Sequence, residues 1–415
     1  MTILIAGGGI AGLTLGLTLH QIGIAFHVFE SVKTPKPLGV GINLQPPAVR
    51  ELYALGLAEM LDDVGIQTQD YGFYTRTGVE IWTEPRGLHA GYNWPQYSVH
   101  RGRLQMGLLD ALVERCGEGC ISFGHRVEGY GNGEKKVSAH VRTQDAVQEV
   151  EGDMLVGCDG VHSAVRSQMY PEEGAPVWGG AIMWRGTSRA EPILSGKSMI
   201  LAGNDHIRFV TYPISDIDPA TGHALINWIA ERTVDPDTHV EKGDWNRQVT
   251  ADRFAHDFAD WDFGWINIPD LISRADAVFE YPMVDREPVD RWTDGRATLI
   301  GDAAHATYPV GSSGASQAIL DARILGAKLR DHGVTPEAAL AYEALVRPKA
   351  NGVTLANRGR GGPDAIMQMA EDLCQGDFAK LDEVLPLKER AAHAEAFKRL
   401  AGISVAATNA QASII

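Results

Sequence analysis

The residues best suited to chemistry in this 415-residue chain form three glycine-and-acid clusters far apart in sequence. The first is Gly7-x-Gly9-x-x-Gly12. In such a run the first glycine permits a tight turn. The second lets backbone approach a pyrophosphate, and the third lets helix pack on strand. The N–H groups that open the helix then face the anion. Glu30 follows Gly12 by roughly 20 residues, the spacing at which an acid meets ribose hydroxyls. With those flanks the cluster reads as a dinucleotide site, NAD and FAD both remaining open. The second cluster is Gly157-Cys-Asp159-Gly160-Val-His-Ser163-Ala-Val-Arg166, after the apolar run Met154-Leu-Val156. It reads equally well as a cofactor turn and as a turn with a helix cap. The third is Gly301-Asp302-Ala-Ala-His305, continued by Pro309 and Gly311-Ser-Ser-Gly314-Ala315. Asp302 at a strand end can bind a polyol, and a helix starting near Ala315 would favour an anionic ring system. The competing reading makes Asp302 a helix cap and Gly311–Gly314 a linker. His305 is expected to cap or pack rather than shuttle protons.

These residues need elements to position them. Ile3–Ala6 is apolar enough for a parallel strand buried on both faces. A helix is expected from Ala11 to about Gln21, and a second strand over Ala25–Phe29, which completes a βαβ unit. Helices are expected from Ala48 and after Arg101, and strands over about 120–156. From about 178 to 285 aromatic-rich segments recur (Ile182–Gly186, Ile207–Pro213, Ala224–Ile229, Ala277–Pro282), which reads as a separate antiparallel sheet. Ala297–Ile300 returns to the buried-strand pattern. Residues 333–405 look helical, and the last ten are expected to fray. The fold class is therefore α/β (α+β overall): a Rossmann-like dinucleotide domain with an inserted antiparallel-sheet domain and C-terminal helices. The expected division is 1–70, 98–177 and 286–345 for the discontinuous nucleotide domain. Residues 71–97 and 178–285 form the sheet domain, and 346–415 a C-terminal helical region.

Lys and Arg total 37 against 53 Asp and Glu, a net charge of −16. That balance argues against nucleic acid, which needs a basic face. Hydrophobic residues make up 44%, enough for a full core and against disorder. Four Cys are too few for a disulfide scaffold, and Cys116-x₃-Cys120 has no second pair, so no metal site is expected. Reduced thiols point to the cytoplasm. Met1–His27 lacks Lys, Arg, Asp and Glu. Its glycines and missing basic n-region fit a buried strand–turn–helix better than a signal peptide or membrane span. A monomer or homodimer is expected.

Together the three clusters resemble the FAD-binding signature of the single-component (group A) aromatic hydroxylases, whose fold is p-hydroxybenzoate hydroxylase-like and which include salicylate hydroxylases. Leu38-Gly-Val-Gly-Ile-Asn-Leu-Gln-Pro46 resembles the family's flavin-edge loop, Val99-His-Arg101-Gly-Arg-Leu104 its Arg-x-x-Leu element, and Tyr342-Glu343 with Arg347-Pro348 its closing helix. Within the family, Trp82-Thr-Glu-Pro-Arg-Gly87, Met183-Trp-Arg-Gly186 and Tyr281-Pro-Met-Val-Asp-Arg286 most resemble the 5-methylphenazine-1-carboxylate monooxygenases. The tail from Gly362 to Gly402 departs from that branch.

The resemblance implies bound FAD, with NADH or NADPH as transient reductant and O2 as co-substrate. It implies hydroxylation of a small aromatic or heteroaromatic ring, carboxylates and decarboxylative hydroxylation included, through a flavin C4a-hydroperoxide. Gly7, Gly9 and Gly12 would hold the pyrophosphate, and Glu30 the adenosine ribose. Arg101 and Asp302 would meet the ribityl–phosphate region. Asp159 and Gly160 would serve FAD and reductant, and Gly41 would border the flavin. Gly314 and Ala315 would offer N–H groups, and Pro309 would stand beside the reactive carbon. Substrate contacts are expected from Met183, Arg185, Thr211, Tyr212, Asn227 and Trp228. Tyr212 could act on a phenol, though a core role with a polar tip competes with that. Arg185 would pair with a substrate carboxylate or form a structural ion pair. The competing functions are another flavin oxidoreductase (a reductase or halogenase) and a non-catalytic binding protein.

Overall fold

The computed structural model describes residues 1–235, 247–358, 362–400 and 402–415. Parts of the expected sheet domain (236–246) and C-terminal region (359–361 and 401) lie outside the described residues.

The strand Thr2–Ala6 is the hub of a six-stranded sheet. It pairs in parallel with Ala25–Glu30 on one side and Met154–Gly157 on the other. Ile121–Phe123 and Ala297–Leu299 extend the sheet in parallel, and Thr293–Asp294 adds an antiparallel edge. The strand Thr2–Ala6 is covered on both faces, with Ile3 and Ile5 buried on one and Leu4 on the other. That is why it reads as an unbroken apolar run. The helix Ile10–Gln21 packs over it, and Leu13, Leu15, Leu17 and Leu19 are all fully buried. A helix apolar all round belongs in a core.

An eight-stranded sheet lies apart, in the order Arg247–Val249, Ala275–Asp285, Val177–Ala190, Ala224–Thr233, Ile207–Pro213, Ser198–Gly203, Asp70–Tyr74, Glu80–Pro85. Its pairs are antiparallel except one: Ser198–Gly203 runs parallel to Asp70–Tyr74. The sheet is thus mixed rather than purely antiparallel, because the hairpin 70–85 joins from a distant part of the chain. One face is covered by aromatics, with Trp184 stacked on Phe254 at 4.7 Å and Phe209 against Trp228 at 6.0 Å. Small sheets complete the chain: Gly41–Leu44, Gln96–His100 and Gly65–Thr68 form one, Arg126–Asn132, Val137–Arg142 and Val147–Gly152 the other.

Helices Pro336–Arg358, Ala365–Cys374 and Leu387–Leu400 follow. Ala365–Cys374 sets Ile366, Met367 and Ala370 against Tyr71, Phe73 and Leu201 of the sheet. The expected fraying of the last ten residues is overturned. Val405–Ala410 is helical, and the Ser413 hydroxyl and Ile414 N–H donate to Glu51. Among the described residues no helix is long and apolar enough to cross a membrane.

The tightest junction lies beneath the first turn. A Cβ on Gly12 would sit 2.0 Å from the Gly7 carbonyl oxygen, and one on Gly7 would sit 2.5 Å from that of Cys158. Gly12→Ala should therefore force the turn off the strand and cost about 1–3 kcal/mol, as overpacking does. The midpoint of urea unfolding checks this.

Candidate active site

The strand ends of the parallel sheet and one face of the large sheet enclose a cavity of about 360 Å³. At the nucleotide end, Gly9, Ile10 and Ala11 line it. Gly9 is the N-cap of Ile10–Gln21, and no side chain caps that helix. A Cβ on Gly9 would meet nothing within 4 Å, so the turn is open on the side where a phosphate would approach. Glu30 stands behind it. One carboxylate oxygen accepts from the Gly8 N–H at 2.7 Å and the other from the Val32 N–H at 2.7 Å. Glu30 does not line the cavity itself, but an ionised carboxylate still has acceptor sites left for hydroxyls.

The middle of the cavity is made by Gly41, Asn43, Arg101, Asp302, Pro309 and the turn Gly311–Ala315. Ser313 caps the helix Gly314–His332 without a side-chain bond, and its buried Oγ has no partner. Ser312 takes φ +50°, a left-handed conformation that costs a non-glycine residue energy and that clusters at functional turns. Asn43 was missed in the sequence. Its Oδ1 accepts from the Ser98 hydroxyl at 2.8 Å, while its buried Nδ2 has no partner among the described residues. Two uncapped helix starts and an unpaired amide lining one cavity fit an elongated ligand with a phosphate at one end and a polar ring edge at the other.

The turn Gly301–His305 is fixed from below. Asp321 accepts from the Gly301 N–H at 2.9 Å and pairs with His305 Nε2 at 2.6 Å, with both side chains buried. Burial pushes the His305 imidazolium down, but the Asp321 charge and hydrogen bond outweigh it and leave the pKa raised. His305 is thus a positioning residue, as its sequence context suggested. Fully buried Arg166 ties the second cluster to this turn, donating to the Ala304 carbonyl at 2.6 Å and the Ala303 carbonyl at 3.2 Å.

Asp159 does not line the cavity, whereas Gly160 does. The Asp159 Oδ2 accepts from the Ala164 N–H at 2.7 Å at the start of the helix Ala164–Met169, whose N-cap is Ser163. Its Oδ1 is buried without a partner, and burial raises its pKa.

The sheet supplies the far wall. Met183, Arg185 and Tyr212 line it as expected. Thr211, Asn227 and Trp228 do not, and those three expectations are corrected. Thr211 and Trp228 face each other across a strand pair, one residue out of phase with Tyr212. Alternation therefore sends them to the opposite face. There the Trp228 indole N–H donates to Ser188 at 2.9 Å. Asn227 is on the cavity face but covered: its Oδ1 accepts from the Gly41 N–H at 2.6 Å. Arg185 holds the same loop from the other side, donating to the Gly41 carbonyl at 3.0 Å. The Arg185 Nε is buried without a partner, and burial lowers the guanidinium pKa. No carboxylate pairs with Arg185 among the described residues, so the structural ion pair is not what it forms. Burial pushes Tyr212 up to about 12, with Arg185 pulling the other way. The Tyr212 hydroxyl is thus neutral near pH 7. No group of three His, Cys, Asp or Glu among the described residues could hold a metal.

Fold and site define a flavoprotein, and the chain belongs to the family described as FAD binding domain, which matches residues 1–339. It is 44% identical over 363 residues to the phenazine 1,6-dicarboxylic acid hydroxylase PhzS of Lysobacter antibioticus, covering 86% of this chain and 89% of that one. It is 30% identical over 382 residues to a salicylate hydroxylase of Pseudomonas putida, covering 83% and 82%. A crystal structure of Klebsiella pneumoniae HpxO with FAD and uric acid superposes with a TM-score of 0.75 at 23% identity, covering 98% of this chain and 96% of that one.

The His305–Asp321 pair should leave a pH signature. The folded pKa of His305 is raised above its ordinary 6.5. Its stabilisation is then complete below about pH 6.5 and is lost as pH rises through the folded value. Thermal melts from pH 6 to 9 should show wild type losing stability along this range more steeply than His305→Gln.

Proposed function

We propose that the protein is an FAD-dependent monooxygenase that uses NAD(P)H and O2 to hydroxylate a carboxylated aromatic or heteroaromatic ring. The observation that carries the carboxylate is Arg185, a half-buried cation on the cavity wall whose buried Nε has no partner and which pairs with no carboxylate among the described residues. Buried charges are normally paired, and a bidentate carboxylate is the natural complement of a guanidinium. Both hydroxylases above are named for aromatic acids, which supports the same class here.

FAD, when bound, supplies the acceptance of hydride from NAD(P)H and the activation of dioxygen. The chain's own residues bind, orient and exclude water. Gly9 and the helix start behind it would take the pyrophosphate, with Gly7 and Gly12 allowing the turn and Glu30 facing the ribose. Arg101, Asp302, Gly41 and Asn43 would hold the ribityl and ring edge. Gly314 and Ala315 would offer backbone N–H groups, and Pro309, which has none, would shape the floor. Gly160 borders the same space. Arg185 would anchor the substrate anion. Met183, Leu201, Val210, Ile229 and Met283 give the ring an apolar wall. The protonated Tyr212 hydroxyl can donate a hydrogen bond to a ring substituent.

In this reading residues 1–70, 98–177 and 286–345 carry the cofactor, 71–97 and 178–285 the substrate, and 346–415 close the far side. The acidic chain is a cytoplasmic monomer or homodimer without nucleic-acid partners.

The FAD-loaded enzyme should oxidise NAD(P)H faster when phenazine carboxylates or salicylate are added, and ¹⁸O from labelled dioxygen should enter the product. A stimulating ligand that yields unlabelled product would favour a reductase or halogenase instead. Arg185→Met should raise KM for carboxylated substrates at least about tenfold, the worth of one lost charge-assisted bond, when assayed on enzyme reconstituted with FAD.

A further inference from the structure

The register of the large sheet places a second charged group on the cavity wall. Glu231 lies opposite Met183 on one neighbouring strand and opposite Arg208 on the other. Arg185 lies opposite Ile229, two residues along the same strand. Diagonal neighbours of this kind sit about 7–8 Å apart, and between Arg185 and Glu231 the wall is apolar. Glu231, Arg208 and Asp364 all line the cavity.

The Arg208 guanidinium is committed elsewhere. It donates to Asp364, to the Asn204 carbonyl at 3.1 Å and to Asp205 at 3.4 Å. Glu231 reaches it only at 3.8 Å and, among the described residues, accepts no hydrogen bond. One cation thus faces three carboxylates: Asp205, Asp364 and Glu231. Burial pushes the Glu231 carboxyl up, Arg208 draws it back, and Asp364 and Asp205 push it up again. Glu231 is partly exposed at the cavity wall and, among the described residues, keeps acceptor sites that an O–H or N–H of a ligand could fill.

We propose that Glu231 is a specificity-determining residue that accepts a hydrogen bond from an O–H or N–H on the substrate ring, at the end remote from the carboxylate held by Arg185. The assignment rests on the aromatic-acid reading of the cavity and narrows it to rings bearing an amino, hydroxyl or protonated ring-nitrogen group. The wall is then dipolar. The cationic end fixes the acid and the anionic end selects the donor, which together set which ring carbon faces the flavin. Arg208 and Asp364 act as positioning residues that keep Glu231 at the wall.

Calorimetric titration of the FAD-loaded enzyme, without NAD(P)H, tests this with 2-naphthoate and its 6-hydroxy, 6-amino and 6-methoxy derivatives. Wild type should bind the hydroxy and amino acids about tenfold more tightly than the other two, the yield of one hydrogen bond to a charged group. Glu231→Leu should abolish that preference and leave affinity for 2-naphthoate within a few-fold. Glu231→Gln, which keeps the shape and an acceptor oxygen, should retain part of the preference and covers the case in which the leucine variant does not fold. Arg185→Met should weaken all four ligands alike. A preference unchanged in Glu231→Leu, or absent from wild type, would overturn the role of Glu231 while leaving the aromatic-acid reading intact. Failure of wild type to bind any of the four would overturn that reading and this role with it.

Discussion

Everything in this protein depends on how closely three strand ends can approach at one edge of a parallel sheet. Gly7 accepts the contact: its φ is +105°, and its missing side chain leaves room for the Cys158 carbonyl. The ladder continues straight through the junction. The Cys158 N–H donates to the Ala6 carbonyl at 2.8 Å, and the Ile300 N–H to that of Gly157 at 3.0 Å. The three glycine-and-acid clusters therefore emerge side by side at the carboxyl edge, where open α/β sheets bind ligands. Arg166 then locks the second cluster to the third through carbonyls of Ala303 and Ala304. A group as large as FAD can be held by segments 300 residues apart because the backbone brings them into contact first.

The loop at Gly41 joins the two halves of the cavity. It is held between Asn227 and Arg185, both on the large sheet. Gly41 has no room for a side chain, since a Cβ would sit 2.6 Å from the Asn227 Cγ and 2.7 Å from the Tyr212 ring. The residue that would hold the substrate anion thus also holds the loop that would border the flavin. Arg185 does this with one nitrogen and keeps another unpaired.

Much of this was legible in the sequence, for a physical reason. The fingerprint Gly7–Gly12, the acid at Glu30 and the buried strands around them are local patterns, set by the turn and the helix start. The sheet strands were legible too, by composition. The faces were not. A strand shows its period of two but not its phase, so Thr211 and Trp228 looked as eligible as Tyr212. Only the register with the neighbouring strands separates them. Asp159 carried two readings because a helix cap and a cofactor turn use the same residues. Asn43, Arg208, Glu231 and Asp364 gave no local signal at all. Their importance comes from whom they face.

That asymmetry explains why the class of this protein is easier to read than its substrate. The cofactor end is built largely from backbone: helix starts, glycine turns and N–H groups, which survive wide changes in side chains. The far wall, where the substrate would lie, is built from side chains on a mixed sheet and closed by Pro363 and Asp364, which follow the parallel sheet only after the helices Gly314–His332 and Pro336–Arg358. A change at any one of Arg185, Arg208, Glu231 or Asp364 would alter the charge presented to the ring, and one at Arg185 would also release the hydrogen bond to the Gly41 carbonyl. In the proposed reading the far wall of this cavity is where this chain's choice of ring would be made.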